Sequence, residues 1–179
     1  GLFSETCEER EKEFQASNPP AASGLWDDQE NSINFSSDRD GRTPLHHAII
    51  EASQNVPALI IAEEVDPKCF SHKDILGMTP LHYAVEFGDF ETAKALVDAG
   101  APLDLTDNQG NTPLHLAARK GQSEIIRLLT NKNSPEYINQ KNYSGMTPLH
   151  EACHVCSQLS VLALLEVNAD IFVTDCCGE

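Results

Sequence analysis

Asp107-Asn-Gln-Gly-Asn-Thr-Pro-Leu-His-Leu-Ala-Ala-Arg-Lys-Gly121 is the stretch whose reading decides the fold, because its signature returns along the chain at a nearly constant spacing. The glycine before its Thr-Pro-Leu-His tetrapeptide is Gly110. Gly41, Gly77, Gly145 and Gly178 hold the same place, so that successive intervals are 36, 33, 35 and 33 residues. The tetrapeptide itself recurs at Thr43 to His46, Thr79 to His82, Thr112 to His115 and Thr147 to His150. Self-similarity at such a period marks a stack of like supersecondary units whose core is shared between neighbours.

The physics of one unit follows from its residues. Asp107-x-x-Gly110 is a turn signature: the carboxylate bonds nearby backbone amides and the glycine takes a positive φ, which predicts a hairpin tip. Thr112 then stands where a hydroxyl caps a helix, and Pro113 stands at the first helical position, where its missing N–H costs nothing. Leu114, Ala117 and Ala118 give this short helix a narrow apolar stripe. A second helix over Ser123 to Thr130, with Ile125, Ile126, Leu128 and Leu129, packs against the small alanines. Neither helix buries its face alone, so the units must stack.

Composition bounds the rest. The 179 residues are 40% hydrophobic, enough for one core-bearing domain, and no run approaches the roughly 18 apolar residues of a membrane span. The opening G-L-F-S-E-T-C-E-E-R lacks the basic and apolar regions of a secretory signal. Cys7, Cys69, Cys153, Cys156, Cys176 and Cys177 form no evenly spread disulfide framework, which favours reduced thiols in a cytosolic or nuclear compartment. The net charge of −16 argues against direct nucleic-acid binding, which needs clustered Lys and Arg, and favours a basic protein partner. Residues 1–37 hold 8 acids and 2 bases, and the remainder holds 20 and 10, so the acidity belongs to the repeats as well as to the tail.

Residues 1–37 read as an acidic, largely disordered arm. Within it Leu25-Trp26 is expected to cap the first repeat, with a docking or degradation motif as the sharper alternative. The repeats are expected over 38–73, 74–106, 107–141 and 142–174, and 175–179 opens a fifth hairpin, which reads as a fragment of a longer array. The longer connection from Asn131 to Asn142 is expected to form a loop on the edge of the stack. Asn142 replaces the turn aspartate and Asn168 a C-cap glycine, both compatible with their places.

His150-Glu151-Ala152-Cys153-His154 matches the H-E-x-x-H pattern of zinc peptidases. His150, however, is the fourth copy of the tetrapeptide histidine, so His46, His82, His115 and His150 read as structural hydrogen-bonders at the hairpin base. Cys153 takes the place of Ala118, a small core position, and Cys156 that of Gly121 in the turn. The reading is therefore no enzyme, no metal and no cofactor.

What remains is recognition. Hairpin tips and first helices of a stack form a continuous concave surface, and the residues between the signature positions choose the ligand. They are Arg39, Asp40, Arg42, His47 and Glu51 in the first repeat; Ile75, Met78, Tyr83 and Glu86 in the second; Asn108, Gln109, Asn111, Leu116 and Arg119 in the third; and Tyr143, Met146, Glu151 and His154 in the fourth. Tyrosines, methionines and acids suit a protein ligand with apolar and basic features.

The four tetrapeptides in phase, over residues 38–179, resemble the ankyrin repeat, which implies an all-α solenoid of helix-turn-helix units with β-hairpin loops, four repeats and the start of a fifth. D-G-R-T-P-L-H-H-A-I-I in the first repeat, G-N-T-P-L-H-L-A in the third and the extended loop before N-Y-S-G-M-T-P-L-H in the fourth look most like the inhibitor-of-κB group, including Cactus-type members. That resemblance implies a cytoplasmic inhibitor that holds a Rel/NF-κB dimer by its basic nuclear-localisation segment. A-S-G-L-W-D around Ser23 departs from the group's D-S-G-x-x-S phosphodegron. A general ankyrin scaffold or adaptor, or a pathogen mimic of the inhibitor, binding another basic protein is the alternative.

Overall fold

The computed structural model describes residues 37–51, 56–61, 65–131, 135–174 and 178. The acidic arm up to residue 36 with Leu25-Trp26, and the Cys176-Cys177 pair, lie outside the described residues.

Four inner helices begin at the tetrapeptide prolines: α1 (Pro44–Ile50), α3 (Pro80–Phe87), α5 (Pro113–Lys120) and α8 (Pro148–His154). Each is followed by an outer helix: α2 (Val56–Ile61), α4 (Phe90–Asp98), α6 (Ser123–Thr130) and α9 (Gln158–Glu166). Among the described residues no strand is formed. Inner helices pack in the order α1, α3, α5, α8, and outer helices in the order α2, α4, α6, α9, so two helical layers run the length of the stack. The fold is the all-helical solenoid that the resemblance implies, but the β-hairpin loops expected with it are not formed among the described residues, where the tips close as turns. No described helix is long and apolar enough to cross a membrane.

The tetrapeptide leucines Leu45, Leu81 and Leu114, with Leu96, Leu129 and Leu164 of the outer helices, are fully buried between the layers. Each such side chain contributes about 1.5–3 kcal/mol by leaving water. Left-handed turns separate inner from outer helices at Gly88 and Gly121, and Cys156 takes the same turn at φ 53°. Asn168, at φ 61°, likewise takes the left-handed position that Gly100 holds one repeat pair earlier, as its residue type allows.

Two further places differ from the sequence-based expectation. The connection after α6 is not simply an edge loop: α7 (Pro135–Ile138) buries Tyr137 and Ile138 in the hydrophobic core, Tyr137 beside Thr112 and Leu114 of the third repeat. Cys153, expected in the core, is exposed. Its counterparts Val85 and Ala118 are covered by the next inner helix, whereas no described element lies on the far side of α8.

Candidate protein-binding surface

The first residue of each signature anchors a hairpin tip by the same device. One side-chain oxygen of Asp38, Asp74, Asp107 and Asn142 accepts the backbone N–H groups two and four residues on, at 2.8–3.0 Å. The bonds from Arg42 and Asp40 hold the Asp38 carboxyl below its usual range. Tips are then joined through the backbone. Ile75 N–H donates to the Asp40 carbonyl at 2.9 Å, Asn108 N–H to Leu76 at 3.0 Å and Tyr143 N–H to Gln109 at 3.1 Å. The Asn108 side-chain amide adds a bond of 2.8 Å to the Ile75 carbonyl.

Beneath the tips runs a ladder of histidines. Nδ1 of His46, His82 and His115 accepts the backbone N–H of Thr43, Thr79 and Thr112 at 3.1–3.2 Å. Their Nε2 atoms lie 3.1–3.2 Å from the carbonyls of Met78, Asn111 and Met146, one repeat further on. An acceptor at Nδ1 and a carbonyl at Nε2 define one neutral tautomer, with Nε2 donating. Burial pushes the His46 and His115 imidazoles down to about 4, and lowers His82 as well. The threonine hydroxyl and the ring thus form a reciprocal capping box at each helix entry, as expected for Thr112, and the ring also ties each repeat to the next.

In three of the four repeats the second polar atom of the anchor residue meets the side chain nine residues later. Asp38 Oδ2 is 2.7 Å from His47 Nε2, Asp74 Oδ2 accepts the Tyr83 hydroxyl at 2.6 Å, and Asn142 Nδ2 donates to Glu151 Oε1 at 3.2 Å. Leu116 offers no partner in the third repeat, so Asp107 Oδ2 accepts from Asn111 Nδ2 at 3.1 Å instead. Asn111 Oδ1 in turn accepts from Asn142 Nδ2 at 2.9 Å. This geometry corrects four expected surface residues. Tyr83, Asn111, Leu116 and Glu151 are buried, because the residue after the tetrapeptide histidine faces the anchor of its own hairpin, and Asn111 is enclosed by the fourth repeat.

Other expected positions do reach the surface. Arg39, Asp40, Glu51, Ile75, Asn108, Gln109 and His154 are exposed, and Tyr143 keeps 78% of its surface while lying over Gly110. Arg42, His47, Met78, Glu86, Arg119 and Met146 are half-buried. Arg42 sits 6.0 Å over the Tyr83 ring, with Nε 3.8 Å from Asp74 and a terminal nitrogen 3.6 Å from Asp40. The Tyr83 hydroxyl beside it raises the guanidinium further, and burial with the Asp74 carboxylate raises the phenol. Glu86 pairs with Lys120 at 2.5 Å. Sequence reading missed Phe87, 56% exposed and stacked on Tyr83 at 6.2 Å. Its spacing of four from Tyr83 on one helix is the signal that places both on one face.

The H-E-x-x-H residues do not converge. His150 Nδ1 accepts Thr147 N–H at 3.1 Å, Glu151 turns to Asn142, and His154 is exposed at the helix end. Among the described residues no group of three or more His, Cys, Asp or Glu is arranged to hold a metal. Burial pushes the Cys69 thiol up to about 11, which makes it an inert core group.

Stacked helix pairs, tied by hairpin tips and a histidine ladder, define a class of repeat protein whose exposed tips and inner helices form a binding surface. The chain belongs to the ankyrin-repeat family: the family described as ankyrin repeats (3 copies) matches residues 16–107, 54–136 and 99–175. It is 31% identical over 175 residues to NF-kappa-B inhibitor alpha of Rattus norvegicus, a match covering 94% of this chain and 53% of that protein. It is 35% identical over 143 residues to B-cell lymphoma 3 protein of Homo sapiens, covering 77% of this chain and 31% of that protein. Tyrosine-protein kinase HTK16 of Hydra vulgaris is 28% identical over 137 residues, with 76% of this chain and 18% of the kinase covered. The chain thus spans about half or less of the length of each of these relatives.

Proposed function

We propose that this chain is a non-catalytic binding domain that holds a Rel/NF-κB-type dimer by its basic nuclear-localisation segment and keeps it in the cytoplasm. The observation that carries this reading is the similarity to NF-kappa-B inhibitor alpha over 94% of the chain. The net charge of −16 supports it, since an acidic solenoid attracts and steers a basic segment. Arg39, Asp40, His47, Glu51, Ile75, Asn108, Gln109, Tyr143 and His154 are the contacts, joined by Phe87. Arg42, Met78, Glu86, Arg119 and Met146 border them.

The test is calorimetric titration of the chain with a Rel-homology dimer, with and without its basic segment, at low and high salt. Binding that weakens with salt and is lost with the segment is the expected result. Absence of binding at low salt overturns the proposal. The second reading, a general ankyrin scaffold for another basic protein, draws on the kinase relative, whose match covers 18% of a much longer chain.

A further inference from the structure

Among the described residues, Cys153 and Cys156 are the exposed cysteines, and the binding surface proposed above uses neither. They close the end of α8 together. The Cys156 N–H donates to the Cys153 carbonyl at 2.9 Å, and a turn closed in this way holds its first and fourth Cα atoms within about 7 Å. A disulfide spans roughly 4.4–6.8 Å between Cα atoms, so the backbone brings the pair into that range.

The other repeats show where the two side chains point. Cys153 stands at the place of Val85 and Ala118, both fully buried under the inner helix of the repeat that follows. Cys156 stands at the place of Gly88 and Gly121. A Cβ on Gly88 meets the Gln122 side chain at 3.1 Å, and one on Gly121 meets Ser157 Oγ at 3.2 Å. Gln122 and Ser157 each head the outer helix of the next repeat, so a side chain at this place also points to the side on which a following repeat sits. Cys153 and Cys156 thus face the same way, and Val161 is a wall of both the groove that Cys153 lines and the groove that Cys156 lines. The residue type at 156 has no packing reason. Its φ of 53° is the left-handed conformation that glycine holds in the second and third repeats, which an L side chain adopts at a cost, and its exposed side chain recovers nothing by burial. Strain kept at an exposed nucleophile points to chemistry.

We propose that Cys153 and Cys156 are a dithiol modification site, oxidised to an intramolecular disulfide by exchange with a small-molecule disulfide such as glutathione disulfide. One cysteine thiolate attacks glutathione disulfide, forming a protein–glutathione mixed disulfide and releasing one glutathione thiolate. The other cysteine then attacks the protein sulfur of that bond, which closes Cys153–Cys156 and releases the second glutathione. The protons lost by the two cysteine thiols end on the two glutathione thiols; the pair is oxidised by two electrons and glutathione disulfide is reduced by two.

The full chain, incubated with glutathione disulfide, then denatured, alkylated and digested, is read by mass spectrometry. The expected result is a Cys153–Cys156 pair that escapes alkylation and is lighter by two hydrogens, reversed by dithiothreitol, with the buried Cys69 fully alkylated as an internal control. Cys156→Gly and Cys153→Ala each restore the residue of the third repeat, Gly121 or Ala118, so both keep the fold, as a thermal midpoint no lower than the parent's checks. Each variant stops at the mixed disulfide on its remaining thiol, expected to accumulate at least roughly tenfold over its level in the parent. A parent that accumulates the mixed disulfide as the variants do overturns the proposal, as do thiols that stay free or a bond from either cysteine to Cys176 or Cys177.

Discussion

The side-chain amide of Asn142 donates to the carboxylate of Glu151 at 3.2 Å, at the place where Asp74 accepts the hydroxyl of Tyr83 one repeat pair earlier. The anchor residue and the residue nine on are therefore matched as donor and acceptor, and the asparagine that breaks the turn pattern is required by the glutamate it faces. Asn142→Asp puts two carboxylates together in a buried setting. One of them must then take a raised pKa, binding more protons folded than unfolded, so its penalty grows as pH rises above about 4 and shrinks on acidification. The expected loss is about 1–3 kcal/mol at pH 7 and clearly less at pH 5, measured by urea unfolding. An equal loss at both pH values would falsify the pairing.

The histidine ladder makes a second pH prediction of opposite sign. His46 and His115 ionise at about 4 in the fold, and near 6.5 once unfolded. Their folded pKa is depressed, so the unfolded chain binds more protons between these values. Stability contributed by the neutral rings is fully present above about pH 6.5 and is lost as pH falls toward 4. Urea midpoints are expected to drop over that window, and His115→Asn is expected to lower stability by about 1–3 kcal/mol while flattening the slope. A slope unchanged in the variant would count against the tautomer assigned above.

Glycine costs separate conformation from contact. Gly110 has φ 81°, and a Cβ there meets Tyr143 N at 2.7 Å, whereas Gly100 has φ 85° with nothing within 4 Å. Gly100→Ala carries only the left-handed penalty of about 1–2 kcal/mol. Gly110→Ala adds the displacement of the next hairpin and is expected to lose more in thermal unfolding. Equal losses would show that the tips do not press on each other.

Phe87→Ala is expected to weaken Rel-dimer binding roughly tenfold, because an exposed aromatic supported by Tyr83 is the kind of anchor that dominates an interface. Its thermal midpoint is expected to stay close to that of the parent, since the ring is 56% exposed. Unchanged affinity in calorimetry would remove Phe87 from the proposed surface.

The sequence by itself determined the period, the helix starts at Pro44, Pro80, Pro113 and Pro148, the turn at Gly121, and the structural role of the tetrapeptide histidines. These are local: a proline at the first helical position or a glycine at positive φ acts within a few residues, and repetition checks each against its copies. Only the tertiary structure decided which variable residues face outward. Tyr83, Leu116 and Glu151 share one place in the repeat, and Asn111 another, yet all four are buried. Whether such a side chain meets solvent depends on the anchor nine residues before it and on the neighbouring repeat. The same dependence exposes Cys153 where Ala118 is buried, and draws Tyr137 and Ile138 into the core from a stretch that reads as a loop. Burial in a stack is a property of pairs of repeats, and the pattern within one repeat does not contain it.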